Sequence, residues 1–422
     1  MQQIHDKTAV SPPNQSAISQ SPSGRCPVDY TTFGKQKSAR AESVQQPVTV
    51  DADGMWHIHS YTIARDLLRS NQTKQAGFRA EQLDAMPNYL KPPVLFMEGK
   101  AHQQMRKQTA RFFTPATTRK NYRQLMQDLT NDILADLQTK GEADLSKLSL
   151  KMAVAVAAQV VGLTDSVIPG LNRRIEAFFR DDAASEQGWT PRKFWNFLRS
   201  QQILGSFFLL DVYPAIRVRR KQRQEDVISH LLDRDYGNIE ILTEAVTYGA
   251  AGMVTTREFI SMAFWHLMEQ PELKARYLAG EQAERYQILD EILRLEPIVG
   301  YLRRRATEAI TLDDGKVIPQ DALIELHIYD INADETIVGE AGRELCPARD
   351  LTPMRPKVPQ HVMGFGEGNH RCPGAYIALQ ETDIFLTQLL SLPNLHIVTP
   401  PTVGYLEAVR GYELRNFIIS VT

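Results

Sequence analysis

Gly364-Phe365-Gly366-Glu367-Gly368-Asn369-His370-Arg371-Cys372-Pro373-Gly374 is the stretch on which the reading of this chain turns. Three glycines fall in the eight residues before one cysteine, and an apolar helical pattern follows at 375–390. Glycine reaches backbone conformations closed to other residues and lets a flat ligand come close to the main chain. A thiolate at a helix N-terminus is stabilised by the N–H groups exposed there. The segment therefore reads as a tight loop that presents Cys372 to something. A lone buried cysteine is otherwise a small core residue, so the spacing of its neighbours carries the argument.

Outward from this loop, the chain has 422 residues with 48 Lys+Arg against 50 Asp+Glu, 43% hydrophobic and 23% charged. This is the balance of an ordinary globular protein, and disorder, collagen and coiled coil are excluded as overall descriptions. No basic run dominates, which argues against nucleic acid as a partner. Cys26, Cys346 and Cys372 are too few for a disulfide framework and suggest a reducing interior. Residues 1–40 are expected to form a flexible tail and 41–422 one domain. The most apolar segment, 152–163, is too short to span a bilayer and reads as a buried helix, so no membrane anchor is expected.

Helical periodicity predicts helices over 98–113, 119–139, 148–163, 170–179, 190–210, 225–234, 242–269 and 282–295, after a Ser60-capped helix. The proline of Gln270-Pro271 marks the end of the longest. From 301 to 327 the pattern alternates, with a turn at Asp313-Asp314-Gly315, and 395–421 again reads as strands. Between them, 339–360 is an irregular meander. The fold class is mainly α (α+β), a large helical body with small β-sheets.

Phe365, Gly368, Cys372 and Gly374, with His370 two before the cysteine, resemble the haem-binding signature of the cytochrome P-450 superfamily of haem-thiolate monooxygenases, in its soluble bacterial type. Other segments match that family in order. Glu291-Ile292-Leu293-Arg294 resembles its Glu-x-x-Arg pair, and Arg349 in Cys346-Pro347-Ala348-Arg349 the arginine that joins it. Arg304, three before Thr307, and the pair His102 and Arg106, four apart on one helix face, resemble its propionate-binding groups. Two carboxylates in an apolar pocket need cationic or donor partners, and His102, Arg106, Arg304 and His370 would supply them. Ala250-Ala251-Gly252-Met253-Val254-Thr255-Thr256 resembles the oxygen-binding helix, with Ala251, Gly252 and Thr255 as the catalytic segment and Val254 at the usual acid position.

The resemblance implies heme b with Cys372 as metal ligand, held between the long oxygen-binding helix and the helix after the cysteine loop. A thiolate ligand favours O–O cleavage. The implied reaction is hydroxylation of a small hydrophobic or aromatic molecule by dioxygen, in secondary metabolism. No flavin or iron–sulfur segment is apparent, so electrons would come from a ferredoxin or flavodoxin with its reductase. Lys100, Lys107 and Arg111 are a candidate docking patch for it. The loop 73–96 and the regions 178–208, 248–255, 298–301 and 403–406 are expected to line the substrate pocket. The expected state is a cytoplasmic monomer. Val254 keeps oxidative coupling, ring closure and peroxide-driven oxidation open, with Glu258 a candidate replacement acid. A haem sensor or electron carrier is the remaining alternative.

Overall fold

The structure is a computed structural model that describes residues 37–38, 46–78, 80, 91–179, 191–339, 341–351, 354, 357–406 and 410–422. The apolar segment 152–163 becomes the C-terminal part of the helix Leu145–Val161, where Met152, Ala153, Val154, Val156, Ala158, Val160 and Val161 are all buried. Asp144 caps its start by accepting the Ser146 N–H at 3.1 Å. Gly162 ends it in a left-handed conformation at φ +98°, where a Cβ would fall 2.6 Å from the Asp226 carboxyl carbon. Only glycine fits there.

The longest helix, Asn238–Glu269, crosses the molecule and packs against both Leu145–Val161 and the post-cysteine helix Ala375–Leu390. Its first turn is closed by Glu240, whose carboxylate accepts the Gly237 N–H at 2.7 Å. It does end before Pro271, as expected, but that proline also opens a further helix, Pro271–Ala279. The sequence reading missed this because proline at the first helical turn costs no hydrogen bond. The helices predicted over 119–139 and 190–210 are interrupted by π turns at Thr118–Tyr122 and Phe208–Val212.

A second core lies under a five-stranded sheet of order β1 (Val48–Val50), β2 (Trp56–Ile58), β8 (Leu323–His327), β5 (Tyr301–Ala306), β3 (Thr73–Ala76). β2 and β8 run parallel and the other pairs antiparallel. At the C-terminus, β12 (Ile418–Ser420) lies between β4 (Glu142–Asp144) and β9 (His396–Thr399). A ribbon of β10 (Thr402–Leu406) and β11 (Gly411–Arg415) completes this part. The expected mainly helical body with small sheets is what the chain forms. Of the expected tail 1–40, only Lys37 and Ser38 are described. These two are not free: both hydrogen-bond to the buried Glu296 carboxylate. Among the described residues no helix is long and apolar enough to cross a membrane.

The irregular segment after β8 is held by one ion cluster. Glu291 and Arg294, at i and i+3 on the helix Gln282–Leu295, make a bidentate pair at 2.8 Å with both side chains fully buried. Arg294 also donates to the carbonyls of Asn332, Gly342 and Glu344. Arg349 reaches Glu291 Oε1 at 3.3 Å, and the Cys346 N–H reaches the same oxygen at 2.8 Å. Removing one partner of a buried pair leaves the other charge uncompensated. Arg294→Met is expected to destabilise the fold by about 3–5 kcal/mol, read as a lower urea midpoint. A loss below about 1 kcal/mol, the level of an exposed pair, would show that the cluster is not structural.

Candidate active site

The glycine loop folds back on itself before the post-cysteine helix begins. The Gly366 N–H donates to Met363 O at 2.8 Å, and the Cys372 N–H donates to Phe365 O at 2.9 Å. Gly366 and Gly368 have φ of +70° and +68°, and a Cβ on Gly368 would lie 2.2 Å from Leu68 O. The loop thus docks directly on the backbone of the helix Tyr61–Arg69, and Arg69 fixes Glu367 by donating at 2.9 Å. Phe365 packs its ring edge-to-face with His361 at 4.9 Å.

Cys372 is a free thiol with exposed surface. Burial is nevertheless the strongest influence on it and pushes the thiol up; the N–H groups of Gly374 and Ala375 and the charges of Arg106 and Arg371 act against that. The residue is thus exposed while protein lies close enough around the sulfur for burial to dominate its titration. The N–H groups of the following helix are aligned to stabilise its anionic form.

Three of the four expected carboxylate-binding groups, His102, His370 and Arg304, gather around a residue the sequence reading missed, and Arg106 turns to the cysteine loop. His102 and His370 stack at 4.1 Å. Glu98 accepts from His370 Nε2 at 3.2 Å and faces Arg304 Nη1 at 3.5 Å. Burial opposes ionisation of Glu98, yet the hydrogen bonds from His370 and the Gln75 N–H, with the charges of His370 and Arg304, hold it below the usual carboxylate range. His102 is driven down to about 4 by burial and by His370 and Arg106, so it is neutral near pH 7. Arg106 donates to Arg371 O, next to the cysteine. The only advance signal for Glu98 was its place as the residue preceding the helix Gly99–Thr109 that carries His102.

On the long helix, Ala251 is exposed between buried and half-buried neighbours. Thr255 donates its hydroxyl hydrogen to Ala251 O one turn back. Gly252 faces Ala157, where a Cβ would make an ordinary contact at 3.5 Å. Val254 is buried and packs with Leu406 and Val299, one residue from each of the regions 403–406 and 298–301. Glu258 is not a replacement acid. It is fully buried, paired with Arg257 at 2.7 Å, and accepts the Leu414 N–H at 2.8 Å and Arg415 at 2.9 Å. Its carboxylate anchors β11 to the helix. Glu244, also unforeseen, and Tyr248, from the expected region 248–255, share a helix face with Ala251 and Thr255 through their four-three-four spacing. Residues 81–90 and 180–190, and the side chains of Phe178, Phe179, Trp195 and Ala250, lie outside the described residues. Lys100, Lys107 and Arg111 are exposed, and Arg111 also contacts His230 at 3.5 Å.

Residues 286–401 match the family profile described as Cytochrome P450. Mycocyclosin synthase of Mycobacterium tuberculosis is 24% identical over 373 residues, 85% of this chain and 87% of that protein. The biotin biosynthesis cytochrome P450 of Bacillus subtilis is 24% identical over 367 residues, 81% and 84% of the two chains. Among solved structures, CalO2 superposes with a TM-score of 0.73 at 20% identity, covering 90% of this chain and 93% of that one. The family profile, the curated relatives and the solved structures agree: the chain is similar to the cytochrome P450 superfamily over most of its length and shares its fold. That similarity supports an oxidoreductase of the monooxygenase type, in a family whose members use haem, dioxygen, redox partners and small-molecule substrates. The residues present fit that cofactor. A cytochrome P450 needs an accessible sulfur inside the protein, a close-packed glycine loop beside it and cationic or donor groups for two carboxylates, and this chain has each.

Glu244 gives this wall a pH signature. Burial raises its carboxyl to about 8, against a single N–H donated by Val94 at 2.9 Å. The folded state keeps it protonated while the unfolded chain ionises near 4.5, so stability present below pH 4.5 is lost as pH rises towards 8. Glu244→Gln keeps an acceptor for Val94 and removes that loss. Its advantage should grow from near zero at pH 4.5 to about 3 kcal/mol at pH 7, measured as the difference in thermal midpoint. A difference independent of pH would refute the protonated carboxyl.

Proposed function

We propose that this chain, as a single domain spanning 41–422, hydroxylates a small hydrophobic or aromatic molecule, and that Cys372 is the residue whose thiolate would hold the iron of heme b. The observation that carries the reading is the accessible but enclosed Cys372 sulfur, with two helix N–H groups acting on it. In this reading His102, Arg106, Arg304 and His370 hold the propionates, and Phe365, Gly368 and Gly374 shape the proximal side. A propionate would share Arg304 and His370 with Glu98 or displace it from them. The bound haem supplies reductive activation of dioxygen, which the thiolate promotes.

The chain's own part is positioning, proton handling and exclusion of water. The N–H groups of Gly374 and Ala375 favour the anionic form of the sulfur against the burial that pushes its thiol up. Because Thr255 gives its hydrogen to Ala251 O, its oxygen is left as an acceptor and can receive a hydrogen bond from a water or a substrate hydroxyl. Ala251 and Gly252 leave room beside it. Val254 neither accepts nor donates a proton, and its contacts with Leu406 and Val299 make that wall apolar. This supports a hydrophobic substrate and makes the relay depend on Thr255 and water. The dry acid position also favours a second reading, oxidative coupling or ring closure, which requires fewer delivered protons. Electrons would come from a ferredoxin or flavodoxin with its reductase, docked near Lys100 and Lys107, and the enzyme would act as a cytoplasmic monomer of secondary metabolism.

Two measurements test this. Cys372→Ser should abolish the red-shifted absorption band of the reduced carbon-monoxide complex; a variant that kept the band would sink the ligand assignment. Thr255→Ala should raise peroxide released per NADPH consumed several-fold, as expected where acid–base assistance worth about 10²–10⁴-fold is disturbed. Unchanged coupling would favour the second reading.

A further inference from the structure

The strands β2 and β8 carry two short alternating runs, Trp56-His57-Ile58-His59 and Ile324-Glu325-Leu326-His327. Period-two alternation sends Ile58, Ile324 and Leu326 into the core, where each is fully buried, and His57, Glu325 and His327 to the other face. The parallel register sets His57 opposite Glu325. His57 Nδ1 and His327 Nε2 are 2.9 Å apart. Glu325 Oε1 stands 3.8 Å from each of those nitrogens. The other carboxylate oxygen, Oε2, is taken by Arg303 at 2.7 Å and Arg410 at 3.1 Å. Oε1 is therefore the atom turned towards the two imidazoles.

The far side of His57 is equally ordered. Its Nε2 lies 3.2 Å from Asp51 Oδ2, while Asp51 Oδ1 accepts the N–H groups of Asp53 at 3.0 Å and Met55 at 2.8 Å. A carboxylate that accepts from one ring nitrogen leaves the other as a lone pair, the arrangement that orients metal-bound histidines. His59 flanks His327, with ring centroids 4.3 Å apart. Its Nδ1 is 2.8 Å from Asp330 Oδ2, and its Nε2 is buried without a hydrogen-bond partner.

We propose that His57 Nδ1, His327 Nε2 and Glu325 Oε1 form a site for a divalent transition-metal ion of the zinc class, oriented by Asp51 and separate from the cysteine loop. Ligand distances of about 2.0–2.2 Å in a tetrahedral site place donor atoms roughly 3.3–3.5 Å apart. The observed 2.9 and 3.8 Å separations bracket that value. Binding would open the imidazole pair by a few tenths of an ångström and draw the carboxylate in. The ion takes the place of the hydrogen now shared between the two nitrogens: His57 keeps its own on Nε2 towards Asp51, His327 carries its own on Nδ1 instead of Nε2, both rings stay neutral, and water completes the coordination. Two imidazoles select zinc, nickel or copper over magnesium and calcium, which prefer oxygen. The ion would bridge β2 and β8, two strands far apart in sequence.

The test uses tag-free, haem-loaded protein, dialysed against EDTA, equilibrated with zinc chloride, desalted, and analysed for zinc against iron by mass spectrometry. One zinc per iron is expected, with a higher thermal midpoint; magnesium chloride should give neither. His57→Gln and His327→Gln should each lose the zinc while keeping the carbon-monoxide spectrum of the parent, and His59→Gln should retain it. Asp51→Asn leaves all three ligands in place and should weaken zinc binding in a calorimetric titration by about 10–100-fold. No zinc in the parent protein overturns the proposal. So does zinc kept by both His57→Gln and His327→Gln, or lost only with His59→Gln.

Discussion

Burial works against a charge on the Cys372 sulfur, and the N–H groups of Gly374 and Ala375, with Arg106 and Arg371, work for it. Every other feature near the loop serves that balance. The helix Ala375–Leu390 must start directly after the cysteine for its N-terminal donors to point at the sulfur. The loop must turn tightly enough for the Cys372 N–H to meet Phe365 O. Gly368 must lack a side chain so that Leu68 can lie against it. Each is a covalent or steric requirement, which explains why so short a stretch carries so much information.

Farther out, the buried Glu291–Arg294–Arg349 cluster places the segment that leads into the loop. Arg294 alone binds three carbonyls along 332–344. Unlike a sheet ladder, this hold comes from one side chain, so the segment needs no regular structure to be fixed. That is consistent with the irregular pattern of 339–360: its order comes from a guanidinium on another element.

The architecture and the cysteine loop were legible because they rest on local rules: helical periodicity, glycine conformation and close spacing. Helices Gln282–Leu295 and Ala375–Leu390 run as their apolar pattern indicates. Legibility ended where a partner came from elsewhere in the chain. Glu258 looked like an available acid because its helix neighbours gave no hint of Leu414 and Arg415 arriving from β11. Glu98 was invisible for the converse reason: its partners His370 and Arg304 are more than two hundred residues away. Short π turns left no mark on the apolar periodicity either, and the role of Pro271 depended on whether a helix followed it. The histidines of β2 and β8 were readable only as alternation, with nothing to say that the two strands were neighbours.

The parallel pairing of Trp56–Ile58 with Leu323–His327 has a consequence for the making of the molecule. During synthesis from the N-terminus at about 5–20 residues per second, the earlier strand emerges roughly 10–50 s before its partner exists. For that interval Ile58, later fully buried, has no cover from β8. Only β1, joined to it by a short turn, is available as an antiparallel neighbour. Closing so long a stretch of chain is slow compared with folding a local helix. The five-stranded sheet therefore cannot close until β8 has emerged, and until then the open edge of β2 is a point of exposure to chaperones or to association.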